Sequence, residues 1–375
     1  MEIELSDEQR FLQETVRKFL EHEAPLSATR ERAAQGEPPL APGYWSRAAE
    51  LGVAAMLIPE EYGGPGSDQP VLDLVVVAEE MGRLIAPGPL LPVSVVADTL
   101  ARAGTDEQKS QYLPGLAEGS VIAAWAAGEA PDAWEPGQAA TTARRDGGDW
   151  VLSGEKASVE AGDVADVFLV TARTGNEGAQ FLVPRDAPGL AVQTLPQYDL
   201  GRRFADITLD EVRVPAQAMI GEPGHLDENL ERQYLLALTL QAAETAGLLE
   251  RIFELTLDYV KDRYTFGRPL ASYQALKHRI ADHKLWLEAA LGLSTALARA
   301  FATEDEGCRQ LASVTKAHVG DQSLTIISDC GQLFGGIAMT WEHDLHLYLR
   351  RATANKFLYG SPAQHRERLC QLIGL

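Results

Sequence analysis

Apolar residues recur at helical spacing in two long parts of the chain and give way to short runs between them. From residue 6 to about 119 the period is helical. The stretch SDEQ has Ser6 placed as an N-cap and Gln9 three residues on, a capping signature, and Leu12, Val16 and Leu20 then fall on one face. IPEEYGGPGS (58–67) is rich in turn formers and reads as a loop. Helical pattern resumes over about 71–85 and 92–103. From about 120 to 221 the texture is strand-like. Gly147-Gly148 separates two short runs and predicts a hairpin, and ADVFLVTAR, AQFLVPRD, LAVQTLP and ADITLDEVRVP follow, bounded by turn residues. Many short strands at close spacing suggest a small barrel or sandwich. Beyond about 226, helical segments are predicted over 229–263, 272–302, 304–334, 342–358 and 362–373, with links short enough for an antiparallel bundle. The expectation is an α+β chain in three units: helical over 1–119, β over 120–222 and helical over 223–375.

Charge and cysteine content narrow what such a chain does. A formal charge of -21 over 375 residues argues against binding nucleic acid through its phosphates, and against an anionic membrane surface. The three cysteines, Cys308, Cys330 and Cys370, form no CxxC pair, which suits a reducing cytoplasm and not a disulfide framework or zinc site. The N-terminal stretch reads as a charged amphipathic helix rather than a signal peptide. No apolar run is long enough to span a bilayer, since VLDLVVVAEE and LLPVSVVADTLA are broken early by charge. The expected location is cytoplasmic.

Two helix interruptions carry candidate chemistry. In YVKDRYTFGRPLASYQALKHRIADH (259–283), Arg263 suits bidentate pairing with a phosphate, Thr265 offers a hydroxyl, Phe266 an apolar plate, and Gly267 close backbone approach. The plainer alternative is a helix–helix turn with a surface arginine. GQLFGG (331–336), taken alone, reads as a helix C-cap. Glu342, His343 and His346 lie close together in WEHDLHLYLRR, but helical surface histidines are common and no metal is expected. The acidic run Glu304 to Glu306 reads as a solvated helix start.

ELGVAAMLIPEEYGGPG, LGRRFADITLDEVRVPAQAMIGE, DRYTFGRPLASYQALKHRIAD and GQLFGGIAMT occur in that order. Together they resemble the acyl-CoA dehydrogenase family, flavoenzymes that use FAD to desaturate acyl thioesters, and the likeness spans nearly the whole chain. The resemblance implies an N-terminal helical domain, a central small β-barrel and a C-terminal four-helix bundle that also forms the oligomer interface. It implies that the Arg263–Gly267 loop reaches across that interface to the pyrophosphate and adenosine of a neighbour's FAD. Arg263, Thr265, Phe266 and Gln274 are then cofactor-binding, with Gln332, Gly335 and Gly336 of the second turn; the implied substrate is an acyl-CoA.

The chain departs from the family where the chemistry is done. Removing an α-proton from an acyl thioester needs a base, and most relatives carry a glutamate in a C-terminal Tyr-Glu-Gly-Thr-Ser motif. Here FLYGSPAQH puts Tyr359 at that position, and a phenol of pKa near ~10 is a poor base at neutral pH. A minority place the base on the first bundle helix, where this chain has Ala237. Glu244 is the one charged residue of QYLLALTLQAAETAGLL and shares a helical face with Ala237, Gln241 and Leu248. Burial is expected to raise its pKa, which makes it the candidate catalytic carboxylate; the alternative is a buried glutamate satisfied by an arginine. The loop that holds the flavin ring in relatives reads GEAPDAWEPGQ (128–138) here and keeps little beyond Glu129. Ser158, Val159 and Glu160 replace a Trp-Ile-Thr/Ser segment whose hydroxyl faces flavin N5, and a glutamate there disfavours the reduced, anionic flavin. With the grip on a neighbour's FAD intact and the chain's own flavin ring contacts and base degraded, the pattern fits the partner subunit of a heteromeric enzyme, of the kind found as unlike pairs in actinobacteria. The alternatives are an active homo-oligomer with Glu244 as relocated base, or a related flavin-dependent oxidase or monooxygenase.

Overall fold

Ser6 opens the first helix as its spacing predicts. Its hydroxyl accepts from the Gln9 backbone N–H at 3.1 Å, and the Gln9 side chain accepts from the Ser6 N–H at 3.2 Å. The computed structural model describes residues 5–129, 139–175, 177–196, 198–221 and 226–375. The helices α1 (Asp7–Glu23), α2 (Leu26–Gln35), α3 (Tyr44–Ala49), α4 (Pro70–Arg83), α5 (Leu90–Ala103) and α6 (Asp106–Ala117) come first. Thr105 and Gln108 start α6 with the same reciprocal cap. Val16 and Leu20 are buried on the inner face of α1, and Leu12 packs at the edge of the same core.

Eight strands follow: β1 (Ala123–Ala126), β2 (Thr142–Asp146), β3 (Asp149–Glu160), β4 (Val167–Thr174), β5 (Glu177–Pro184), β6 (Leu190–Thr194), β7 (Phe204–Pro215) and β8 (Met219–Ile220). The Gly147-Gly148 hairpin forms, with Asp146 opposite Asp149. The pairing path is β6-β7-β3-β2-β4-β5-β8, with β1 parallel to β4. Among the described residues β6 and β8 do not pair, so the small β-domain stays open between them. Its core is built from inward positions such as Leu152, Phe168, Phe181 and Ile207. The β3–β7 ladder slips between Lys156 and Val159, which turns the end of β3 out of regular pairing.

The C-terminal helices are α7 (Leu226–Asp262), α8 (Gln274–Ala302), α9 (Cys308–Phe334), α10 (Leu345–Phe357) and α11 (Pro362–Leu372). Helices α7, α8, α9 and α10 form the bundle, and α11 packs on α9. The acidic run is not a helix start: α9 begins at Cys308, and Glu304, at φ 52°, lies in the preceding turn, paired with Arg102 (3.0 Å) and Arg232 (3.3 Å). Helix α8 is long and apolar enough to cross a membrane by length and composition only, a test that core helices of a bundle also pass. It lies in the bundle against α7 and α9, with Leu287, Ala290, Leu297 and Phe301 buried.

Helices α4 and α7 cross at backbone contact. A Cβ on Gly82 would lie 1.9 Å from the Glu244 carbonyl oxygen, and one on Gly247 would lie 2.0 Å from that of Glu79. Only glycine permits this approach, which sets the depth at which the neighbouring Glu244 side chain is held.

Candidate active site

A cavity of about 480 Å³ opens between the β-domain and the bundle. Its walls come from β1 (Trp125), the irregular end of β3 (Ala157 to Glu160), the β6–β7 link (Leu195, Pro196, Tyr198, Asp199), α7 (Tyr234) and the end of α10 with its following turn (Thr353 to Tyr359). Trp125, Tyr234 and Tyr359 form an aromatic cluster with ring centroids 5.0 to 6.4 Å apart. Trp125 is oriented by an Nε1–H bond to the Gln233 Oε1 at 2.9 Å.

Tyr359 therefore stands in the cavity wall. Burial holds its phenol well above the ordinary value, and the nearby Glu160 adds to this. Its backbone sits at φ 60°, and Ser158 across the cavity at φ 53°. Bulky residues adopt that region at a cost, and such positions cluster at functional sites. The turn carrying Tyr359 is pinned from below: Lys316 Nζ lies within hydrogen-bonding reach of the Gln241 Oε1 and of the carbonyls of Asn355 and Leu358, where α10 ends. His365 Nε2 lies 2.8 Å from the Tyr359 carbonyl oxygen, with burial lowering its pKa to about 4, so the imidazole is neutral and donates to that carbonyl.

Glu244 lies outside the lining of this cavity. Its Oε1 accepts from Arg351 Nη1 at 2.6 Å; its Oε2 accepts from Arg202 Nη2 at 2.6 Å and Asn355 Nδ2 at 2.8 Å. The expected rise in pKa is overturned. Burial pushes upward, but the two guanidiniums and the amide outweigh it and hold Glu244 below the ordinary carboxylate value. Arg351 also pairs with Asp199, and Arg202 Nε lies 3.2 Å from Glu160 Oε1. Sequence reasoning missed Arg202, Arg351, Asp199 and Asn355. One signal was present: Tyr348, Arg351, Ala352 and Asn355 form a buried stripe on α10, and an arginine on an inward stripe calls for a carboxylate partner. Ala237 is fully buried on α7.

The cofactor-binding candidates gather elsewhere. Tyr264–Thr265 pairs with Arg268–Pro269 across Phe266 (φ 53°) and Gly267 (φ 80°). Two positive φ values make this a type I′ hairpin, which explains the glycine. Arg263, Phe266, Gly267 and Gln274 are exposed, Thr265 is half-buried, and Phe266 is 94% exposed. The second turn joins them: Tyr259 Oη donates to the Phe334 carbonyl at 3.2 Å, and the two rings lie 4.7 Å apart. Gln332, Gly335 and Gly336 are exposed, and among the described residues nothing lies within 4 Å of a Cβ built on Gly267, Gly335 or Gly336. An exposed guanidinium, free backbone beside glycines and an exposed phenyl fit a pyrophosphate and an adenosine. None of these residues lines the cavity at Tyr359.

Of the segment over 128–138, residues 130–138 lie outside the described residues. Glu129 pairs with buried Lys156 at 2.6 Å and accepts from the Thr141 N–H at 2.8 Å. His343 packs on Phe334 and His346 stacks on Trp341, at 4.5 and 4.9 Å between ring centroids. Arg350 covers the Tyr198 ring and donates to its carbonyl at 2.9 Å.

Family models for the N-terminal, middle and C-terminal domains of acyl-CoA dehydrogenases match residues 6–120, 127–212 and 238–373. The chain is 31% identical to cyclohexane-1-carbonyl-CoA dehydrogenase of Geobacter metallireducens, over 95% of this chain and 94% of that one. It is 31% identical to acyl-CoA dehydrogenase IpdE2 of Mycolicibacterium smegmatis, over 97% and 98%. The structure of butyryl-CoA dehydrogenase from Megasphaera elsdenii superposes with a TM-score of 0.91 over all of both chains at 23% identity, a likeness of fold.

Proposed function

The chain belongs to the acyl-CoA dehydrogenase family, whose cofactor is FAD, and from that premise we propose that it is the partner subunit of a heteromeric enzyme that desaturates an acyl-CoA. In this reading the chain grips FAD across an interface and leaves the α-proton to a base on a homologous neighbour. The observation that carries it is Tyr359: the cavity has a phenol, raised further by burial, where the reaction needs a carboxylate.

The rest of the site supports the same division of labour. Arg263 would pair with the FAD pyrophosphate, Gly267, Gly335 and Gly336 would let backbone approach it, and Phe266 would pack on the adenosine. When bound, FAD supplies the hydride acceptor. None of these residues lines the chain's own cavity, which supports an FAD shared with a neighbour. The exposed Leu285, Ile337, Met339 and Trp341 give the bundle apolar surface for such an interface. Glu244 is poorly suited to act as a relocated base. Both its oxygens are committed to cations and an amide, and it lies outside the cavity lining.

The test is flavin stoichiometry after expression alone and together with a homologous chain that carries the glutamate. The mixed assembly is expected to hold FAD and turn over acyl-CoA, with fewer than one FAD per chain. A homo-oligomer of this chain with one FAD per chain and rapid desaturation would overturn the reading.

A further inference from the structure

The buried ion-pair network leaves one carboxyl group unfinished, and that group stands in the cavity wall. Glu160 ends β3 and is 6% exposed. Its Oε1 lies 3.2 Å from Arg202 Nε; its Oε2 is shielded from solvent and has no hydrogen-bond partner among the described residues. Arg202 is committed elsewhere, through Nη1 to Asn355 Oδ1 at 2.7 Å and Nη2 to Glu244 at 2.6 Å. Arg351 is divided between Asp199 and Glu244. Two guanidiniums thus face three carboxylates, Glu160, Asp199 and Glu244, while burial and the neighbouring Arg202 hold the Lys316 amine well below the ordinary lysine value and disfavour its charge.

A cluster taken out of water with one negative charge in excess takes up a proton, because an uncompensated buried charge is costly. The proton goes to the carboxylate with the fewest donors. Glu244 accepts three hydrogen bonds, and Asp199 accepts from Arg351 and from the Gly201 N–H at 2.8 Å. Glu160 has a single contact. Burial raises its pKa against the pull of Arg202, with Glu244 and Asp199 adding to the rise. The remaining charged neighbour is Arg351, and Tyr359 faces Glu160 as a neutral phenol.

We propose that Glu160 carries this proton and that its carboxyl, turned toward the cavity it lines, donates its O–H to a carbonyl oxygen of the molecule that enters there. The acceptor is the thioester carbonyl of an acyl-CoA or a ring carbonyl of a flavin; those two candidates rest on the function proposed above, the donor itself does not. The surrounding wall of Trp125, Phe204, Tyr234 and Phe357 suits an uncharged acceptor on an apolar or flat body. An ionised Glu160 would repel a carbonyl oxygen. A neutral carboxylic acid attracts one, and attracts it more as negative charge builds on the oxygen.

The test is infrared difference spectroscopy of the full chain, in whatever assembly it purifies, wild type minus Glu160→Gln. The expected result is a protonated-carboxyl band at neutral pH that Glu160→Gln removes, and that shifts when butyryl-CoA or FAD is added; the probe that shifts it identifies the ligand. Glu160→Leu should weaken binding of that probe several-fold, while Glu160→Gln, whose amide still donates, should stay close to wild type. Absence of the band at neutral pH, or a band that neither probe shifts, would overturn the proposal. If the Gln variant does not fold, Glu79→Gln decides, since the Glu79 pKa is raised to about 8 and that carboxyl carries a band of its own: in that background probe affinity must fall as rising pH bleaches the remaining band, and an affinity indifferent to the band would count against Glu160. Loss of this result would leave the trans grip on FAD standing. A rapid homo-oligomeric dehydrogenase would overturn the subunit reading and leave the Glu160 band intact.

Discussion

Glu244 and Arg351 meet at 2.6 Å where α7 passes α10, with both side chains removed from solvent. The pair joins the long helix that crosses α4 to the helix whose end forms the cavity wall. Glu244→Gln keeps the volume and removes the charge, leaving the Arg351 and Arg202 donors that meet at Glu244 without their shared carboxylate. Breaking such a pair is expected to destabilise the fold by about 3–5 kcal/mol. The check is the denaturant midpoint at constant slope. Turnover per folded assembly should survive. A variant as stable as wild type that has lost turnover would make Glu244 a catalytic residue.

Arg263→Ala removes a charge-assisted contact to phosphate. A loss of roughly 1.5–3 kcal/mol in FAD binding by the assembly is expected, a drop of tenfold or more. Fluorescence titration measures it, and an unchanged dissociation constant would count against a phosphate contact at this loop. Because Arg263 is exposed, the melting temperature of the flavin-free chain should not move.

Phe266 is held at φ 53° in the first central position of a type I′ turn, where asparagine is favoured. Phe266→Asn is expected to relieve backbone strain and stabilise the isolated chain by roughly 1 kcal/mol. The same change removes the 94%-exposed phenyl that the interface would use. The expected pair of outcomes is a higher melting temperature and weaker FAD retention. Improvement in both would mean the ring has no ligand-facing role.

Glu79 on α4 has its pKa pushed up to about 8, first by burial and then by Glu250 and Glu80. A carboxyl raised in the folded state contributes stability that is full below its unfolded value, ~4.3, and is lost as pH rises through the folded one. Stability should therefore fall between the unfolded value and about pH 8. Glu79→Gln should flatten that slope. Glu244 runs the other way: its depressed pKa stabilises above the unfolded value and the benefit is lost at lower pH as it protonates. Melting curves across the pH range in the two Gln variants separate the contributions.

The sequence by itself determined the order of the elements. Capping at Ser6, the Gly147-Gly148 hairpin and the apolar periods of the bundle are local signals, each written within a few residues of the structure it specifies. It also determined that position 359 is a tyrosine, because a motif position needs only its neighbours in the chain to be found. The environments were decided by the tertiary structure. Glu244 reads along α7 as a lone carboxylate in apolar surroundings; its real partners come from the β6–β7 link and from α10, 42 to 111 residues away in the chain. Those guanidiniums reverse the direction of its pKa, since inside a protein the nearest charge outweighs the average polarity of the helix that carries the group. Glu160 shows the same physics with the opposite outcome: a single arginine contact leaves burial to prevail. No window of sequence could have told these two glutamates apart, because the difference is a count of donors that only long-range packing brings together.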